Sequence, residues 1–264
     1  WPGESRQFLL EWGERGPLVR VEADGSKHVV GVFFGGHRDD DGDWQETNPL
    51  ATLSPADLAG VRTVVYRGFK EENDKWLRRL DLQRVWIDAF LWHLPEGTRY
   101  LTLRGEDLED IARLKELRVL RTSPDHDFKF LRELPRLEHL CVAGEYGEAK
   151  GDLRAIAEAV QLRSLELSRI RKEKWPDLGK LVHLKRLDLH GSSFWKLPRL
   201  EKLTELEALE AWGTYLEDLP DIRMPALRRL TLTGTRIEAD KLREFKKLNP
   251  HCLVITGYKD AMLE

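Results

Sequence analysis

The chain has 264 residues, with 43 Lys and Arg against 46 Asp and Glu, so its formal net charge is −3 at pH 7. A net charge this close to zero creates no overall field that favours nucleic acid or an anionic membrane surface as a partner. The chain has two cysteines, too few for a disulfide framework or a four-cysteine zinc site. It has no apolar run near the roughly 18 residues that a transmembrane helix needs. The few cysteines and the lack of an Asn-x-Ser/Thr sequon favour a cytoplasmic location.

The first predicted element is a β-hairpin. Residues 18–22 and 27–34 are rich in Val and Phe, and they flank the Asp-Gly pair at 24–25. Asp-Gly adopts the positive φ angles that a tight hairpin turn requires, so this pair is typical of a two-strand reversal. Residues 7–12 are a candidate third strand.

A short helix follows the hairpin. Ser54 before Pro55 is typical of a helix N-cap followed by proline in the first turn, and Gly60 is a natural stop. We predict that residues 1–60 form a small β-rich N-terminal cap, because the apolar end of the chain that follows needs a cover.

No segment of the chain carries an enzyme or metal motif. The acidic run at 39–43 has the alternate Asp spacing of a calcium loop, but Trp44 stands at the sixth position and Leu50 at the twelfth, where such a loop needs Gly and Glu. The Gly-x-Ser-x-Gly, Walker, dinucleotide and His-Glu-x-x-His motifs are missing from the sequence. We therefore predict a non-enzymatic protein with no cofactor and no metal.

One phrase recurs from residue 61 onward. Leu-x-x-Leu-x-Leu stands at 184–189 and 227–232, with a close variant at 206–211 that ends in Ala211. With the middle apolar residue as a marker, the series comprises positions 64, 85, 101, 120, 140, 165, 187, 209, 230 and 253. Steps of 16 to 25 residues are typical of a stacked solenoid, in which each repeat buries its apolar side against its neighbours.

This phrase resembles the repeat of the leucine-rich-repeat family, and the matching segments cover residues 61–257. The resemblance implies an α/β fold: a curved solenoid with a parallel β-sheet on its concave face and short helices or 3₁₀ turns on its convex face. We predict about ten repeats over residues 61–264. The family overwhelmingly serves binding, which implies a protein–protein interaction module.

The segments that connect the strands differ in their predicted structure. Helical spacing of apolar residues occurs at 71–80, 107–114, 152–160 and 239–248. Leu-Pro pairs at 94–95, 134–135, 197–198 and 219–220 break helices and predict 3₁₀ or extended turns.

The chain departs from the family at one position of the repeat. The family has Asn three residues after the third leucine, whereas the later repeats here have Ser192, Thr214 and Thr235. Hydroxyls can replace the amide in a short hydrogen-bond ladder, but Phe90 and Ile170 at earlier positions cannot. We therefore expect regular C-terminal coils and distorted N-terminal ones.

The strand register predicts which side chains line the concave face. Residues two apart in a strand share a side, so the residues before, between and after the second and third leucines point outward. In this register Cys141 and Val254 also point outward. The predicted partner-binding face is basic and aromatic in its N-terminal half and acidic in its C-terminal half. Its residues are Arg84, Trp86, Tyr100, Arg104, Arg121, Glu166, Asp188, His190, Glu210 and Trp212.

We predict that this face binds a protein or peptide partner, because exposed Trp and Arg are typical of binding hot spots. Two alternatives stay open. Since the sequence starts at Trp1 and not at Met, the chain is alternatively the targeting domain of a larger effector or ligase. The acidic half of the face would also suit an antitoxin-like inhibitor of a bacterial enzyme. The sequence indicates neither the oligomeric state nor the partner.

Overall fold

The computed structural model describes residues 17–21, 27–38, 44–47, 53–66, 77–89, 94–103, 108, 111–145, 148–172, 174–197 and 200–257. Within these residues thirteen strands form one sheet. They are β1 (Pro17–Val21), β2 (Lys27–Arg38), β3 (Trp44–Thr47), β4 (Thr63–Tyr66), β5 (Trp86–Ala89), β6 (Tyr100–Leu103), β7 (Val119–Thr122), β8 (His139–Ala143), β9 (Ser164–Ser168), β10 (Arg186–Asp188), β11 (Ala208–Glu210), β12 (Arg229–Thr231) and β13 (Leu253–Ile255).

The sheet confirms the predicted α/β solenoid. Strands β4 to β13 are ten parallel neighbours in chain order, which places one strand in each coil. Strands β1 and β2 pair antiparallel, as the Asp-Gly turn predicts. The sequence did not indicate that β2 also pairs parallel with β4, so that one sheet continues from the N-terminal hairpin into the repeats. The candidate strand at 7–12 and the acidic run at 39–43 lie outside the described residues.

The connections between strands are mostly 3₁₀ helices. These are Ile111–Arg113, Phe128–Glu133, Leu153–Glu158, Leu178–Lys180 and Leu200–Lys202. The helical prediction for 107–114 and 152–160 was wrong in type for the residues that the structure describes, since these contain 3₁₀ helices and no α-helix. A 3₁₀ helix rises about 2.0 Å per residue against 1.5 Å in an α-helix, so it crosses the width of a coil in fewer residues.

Two α-helices occur in the described residues. Helix α1 (Pro55–Gly60) begins at the predicted N-cap, where the Ser54 hydroxyl accepts a hydrogen bond from the backbone N–H of Asp57. Helix α2 (Ala239–Leu248) confirms the helical prediction for 239–248. Of the predicted helical segment 71–80, residues 71–76 lie outside the described part of the chain.

The core is a ladder of leucines between the sheet and the connections. Leu165, Leu187, Leu209 and Leu230 are in register on neighbouring strands, and each is at most 1% exposed. A fully buried leucine contributes roughly 1.5–3 kcal/mol relative to an exposed one. Because each leucine packs against the coils above and below it, the stack fixes the register of every strand.

The predicted register was wrong in two strands. Val64 pairs with Ile87 and not with Val85. Val85 and Ile87 are both apolar and buried and lie two residues apart, so the sequence pattern does not distinguish them. In β13 the residue in register with Leu230 is Val254. The one-residue shift turns Val254 toward the core and leaves Leu253 59% exposed.

The hydroxyl ladder predicted for the later repeats is only partly formed. The Ser192 hydroxyl donates to Leu167 O at 2.8 Å and accepts from Ile170 N at 2.9 Å, so it joins neighbouring coils. The Thr214 and Thr235 hydroxyls instead donate to carbonyls three residues back in their own coils. Of the three predicted ladder hydroxyls, only Ser192 therefore connects two coils in the manner of the family's Asn.

Asn249 performs the same coil-joining role at a place that the repeat pattern did not indicate. Its side chain is fully buried, its Oδ1 accepts from Met224 N at 2.6 Å, and its Nδ2 donates to Ile222 O at 3.0 Å and Phe245 O at 3.2 Å. One amide thus joins helix α2 to the preceding coil and provides a partner for Met224 N and Ile222 O, while Phe245 O also accepts from the backbone N–H of Asn249.

Replacing Asn249 with Ala is expected to lower the free energy of unfolding by about 2–4 kcal/mol, because Met224 N and Ile222 O both lose their hydrogen-bond partner. Urea denaturation followed by circular dichroism measures the change. The exposed Lys247→Ala on the same helix is the control and should change the value by less than about 0.5 kcal/mol. Equal stabilities for the two variants would contradict this role for Asn249.

Candidate partner-binding face

Two columns of outward side chains run along the parallel strands. The first column contains Thr63, Trp86, Tyr100, Val119, His139, Ser164, Arg186, Ala208, Arg229 and Leu253. The second contains Val65, Asp88, Thr102, Arg121, Cys141, Glu166, Asp188, Glu210, Thr231 and Ile255. Trp86 therefore lies in the first column, not in the second column where the sequence register placed it.

An aromatic pair occupies the N-terminal half of the face. The Trp86 and Tyr100 rings are stacked, with centroids 6.2 Å apart and an interplanar angle of 22°. The Trp86 indole N–H donates to the Thr102 hydroxyl at 2.9 Å, which fixes the ring. Both aromatic residues are half-buried, so part of each residue remains open to solvent.

The predicted arginines of this half are distributed differently. Arg121 is exposed in the second column, as predicted. Arg84 lies in the turn before β5, where its Nε is 3.5 Å from Asp81 Oδ2, because the strand begins two residues later than the marker at 85 implied. Arg104 lies outside the described residues.

Cys141 is buried, although its position in the second column faces outward. It is 1% exposed, and it stands between Arg121 and Glu166, whose longer side chains occupy the same column. Burial, with a further contribution from Glu166, raises the pKa of the Cys141 thiol well above its ordinary range. A thiol held in its neutral form is a poor nucleophile, so the structure does not favour a reactive thiol at this position.

Three acidic residues lie side by side, as predicted. Asp188 is in register with Glu166 on one side and with Glu210 on the other. Each acid has a partner within the chain: the Ser168 hydroxyl donates to Glu166 at 2.7 Å, and Glu210 forms an ion pair with Arg229. These partners reduce the repulsion of like charges at strand spacing.

Asp188 holds His190 in place. Asp188 Oδ1 accepts from the His190 backbone N–H at 3.0 Å and lies 2.8 Å from its Nδ1. The imidazole stacks on the Trp212 ring with centroids 4.6 Å apart and planes at 9°. The hydrogen bond to Asp188, together with the charges of Asp188 and Glu166, raises the pKa of His190 above its ordinary value, while burial and the charge of Arg169 act in the opposite direction.

Arg169 is a residue of this region that the sequence pattern did not single out. Its φ is +55°, and the equivalent turn positions in the next coils are glycines with φ of +66° and +74°, such as Gly191 and Gly234. A left-handed backbone costs a side-chain-bearing residue about 1–2 kcal/mol relative to glycine. Strained backbone is enriched at functional sites. The signal in the sequence was a non-glycine residue at a repeat position that later becomes glycine.

Neither a metal centre nor a membrane helix is present in the described part of the chain. Its His, Cys, Asp and Glu side chains form no cluster of three or more that could hold a metal ion. Its helices are too short or too polar to cross a bilayer.

Comparison with solved structures places this geometry among known repeat proteins. An internalin (InlF) from Listeria monocytogenes matches 79% of this chain and 64% of its own, with a TM-score of 0.55 and 16% identity. The Toll-like receptor TLR13, in a complex with a single-stranded RNA, matches 89% of this chain and 35% of its own, with a TM-score of 0.52 and 17% identity. A leucine-rich-repeat protein from Leptospira interrogans matches 76% of this chain and 73% of its own, at a TM-score of 0.45 and 16% identity.

The chain has the leucine-rich-repeat fold. The solved structures with TM-scores above 0.5 share this architecture, and the repeat phrase and the ten parallel strands agree with it. This chain spans less than two thirds of the length of the internalin and about a third of TLR13. A comparison of the sequence with models of protein families gives no match, and a comparison with curated proteins gives none.

The contact between Asp188 and His190 predicts a pH effect. A raised pKa in the folded state means that this contact stabilises the fold fully below about pH 6.5, the ordinary histidine value, and that the contribution is lost as the pH rises through the folded pKa. We expect Asp188→Asn to lower the His190 titration midpoint in an NMR experiment and to reduce stability more at pH 5.5 than at pH 8.5.

The titration requires that the NMR signal of His190 be assigned. His190→Gln identifies the His190 resonance by its disappearance from the spectrum. An unchanged His190 midpoint in Asp188→Asn would contradict the assignment of the raised pKa to this hydrogen bond.

Proposed function

We propose that this chain is a non-enzymatic recognition module that binds a protein or peptide partner along its concave strand face. The observation that carries the proposal is the stack of His190 on Trp212, in which the indole stays 42% exposed. A large aromatic ring gains little by facing water, and this one fills no part of the core. Exposed tryptophans held in a fixed orientation are typical anchors of protein interfaces.

The rigidity of the site supports the same function. Trp212 is the second residue after β11, and its backbone carbonyl accepts from Gly191 N at 2.9 Å. Its ring is held by His190, and His190 is held by Asp188. A partner that binds a preorganised side chain loses less conformational entropy than one that must order it.

The two halves of the face suit different parts of a partner. The exposed Arg121 can receive an acidic group, next to the half-buried pair of Trp86 and Tyr100. The acids Glu166, Asp188 and Glu210 are already paired within the chain, so we propose that basic groups of the partner share these carboxylates at the rim of Trp212. Charge pairs of this kind contribute more to specificity than to affinity.

The chemistry of the face favours a protein partner over nucleic acid. The TLR13 structure contains a single-stranded RNA, which shows that the fold itself accommodates RNA in that protein. Here three adjacent acids line the C-terminal half of the face, and the net charge of the chain is −3. Phosphates would be repelled there. We also propose that the chain has no enzymatic activity and that it is located in the cytoplasm.

Affinity purification from the native source tests the proposal with Trp212→Ala. Loss of a hot-spot Trp costs at least about 2 kcal/mol, or roughly 30-fold in affinity. We expect quantitative mass spectrometry to find a protein that the wild-type chain retains and Trp212→Ala loses. The identity of that protein would also separate an inhibitor of one enzyme from the targeting domain of a larger effector.

Val160→Ala is the matched control, because Val160 is 50% exposed but lies after the 3₁₀ helix Leu153–Glu158, away from the strands. This variant should retain the partner. Thermal melts of all variants establish that each is folded. Equal retention by wild type and Trp212→Ala would refute the role of the concave face.

A further inference from the structure

A second exposed aromatic cluster lies outside the strand face. It consists of Trp195, Tyr215 and Arg236, which follow β10, β11 and β12 in successive coils, and we call it the flank platform. The Trp195 and Tyr215 ring centroids are 5.4 Å apart with planes at 22°. The Arg236 guanidinium carbon is 5.1 Å from the Tyr215 ring and 5.5 Å from the Trp195 ring. One cation therefore lies over two rings.

The backbone fixes the platform from below. Each of its residues is next in sequence to a buried apolar residue: Phe194, Leu216 or Ile237. Phe194 stacks on Trp175 with centroids 3.7 Å apart, so the interior at this level is already filled. Arg236 N donates to Leu216 O at 2.9 Å, which joins neighbouring coils. The platform is thus rigid, and its rings are not needed to fill the core.

The platform is open to solvent. Trp195 is 54% exposed and Tyr215 is 37% exposed, and the Arg236 side chain is 55% exposed. Trp, Tyr and Arg are the residue types most enriched among binding hot spots. Their arrangement in one fixed cluster argues for a surface that a partner covers.

The charges around the platform indicate an anionic ligand. A guanidinium stacked on aromatic rings keeps its N–H donors in its own plane, where a carboxylate can accept two of them. Lys196 follows Trp195, and it is exposed. Glu217 forms an exposed ion pair with Arg236, with its Oε1 3.5 Å from Nη1, and Asp218 pairs with Lys241 at 3.8 Å, so an incoming carboxylate would share Arg236 with Glu217.

We propose that the flank platform is a second binding surface, distinct from the concave face, for an acidic peptide segment. The segment places a carboxylate on Arg236 and a proline or other apolar side chain on the rings of Trp195 and Tyr215. A protein segment is favoured over RNA because a single carboxylate needs only one guanidinium, whereas RNA affinity depends on several cations along its phosphates, and Glu217 already offsets part of the charge of Arg236.

The probe is a fluorescein-labelled peptide of alternating glutamate and proline, with an alternating glutamine and proline peptide as its neutral match. Fluorescence anisotropy at low ionic strength should give saturable binding of the glutamate peptide below about 1 mM, and at least about tenfold weaker binding of the glutamine peptide. Added salt should weaken the binding.

Variants locate the binding on the platform. Arg236→Gln and Trp195→Ala should each weaken binding of the glutamate peptide at least about fivefold. Glu217→Gln should strengthen this binding, because it removes a carboxylate that competes for Arg236. Arg223→Gln is the control with the same charge change at an exposed arginine elsewhere. Trp212→Ala is the control for the concave face. Both controls should bind like the wild type, and all five sites are exposed or partly exposed, so circular dichroism should show native folding.

The proposal is overturned if the glutamate peptide shows no saturable binding or if both peptides bind equally. It is also overturned if Arg223→Gln or Trp212→Ala loses as much peptide affinity as Arg236→Gln does. Tighter binding of a single-stranded uridine oligonucleotide than of the glutamate peptide also overturns it in favour of nucleic acid. Because the concave face is tested by Trp212 and the platform by Trp195 and Arg236, one surface can fail while the other stands.

Discussion

Each coil of this protein depends on its neighbours to bury its leucines. Leu187 is 1% exposed because Leu165 and Leu209 lie in register on either side of it. A single coil has no interior of its own, so burial and strand pairing stabilise the stack only when successive coils are in phase. The same phase relation decides which side chains face outward. The functional surface is therefore a direct consequence of how the core is packed.

The sequence was sufficient where the repeat phrase is complete. Between 165 and 230 the leucines are unambiguous, so the adjacency of Glu166, Asp188 and Glu210 could be predicted. It was insufficient where the phrase is degenerate. Val85 and Ile87 are equally apolar, and only pairing with Val64 separates them. Near the C-terminal end Leu253, Val254 and Ile255 are three consecutive apolar residues, so the pattern does not show which one faces the core, and a one-residue error reversed Val254.

Other features could not be predicted because they depend on contacts between coils. The burial of Cys141 results from the length of the side chains of Arg121 and Glu166 in the same column. The repeat register places His190 and Trp212 at equivalent positions of neighbouring coils, but the stacking of their rings and the placement of Arg236 over two rings depend on side-chain orientation across a strand spacing of about 4.8 Å.

The two aromatic surfaces have a common structural origin at the turn that follows each strand. Trp212 belongs to the stack with His190, and Tyr215 belongs to the stack with Trp195. Only Gly213 and the buried Thr214 separate them. Gly213 has a φ of +66°, a left-handed conformation that turns the chain away from the strand direction within one residue. One turn thus sends Trp212 to the concave face and Tyr215 to the flank, so a chain that keeps this turn can change either surface by substitution without moving the other.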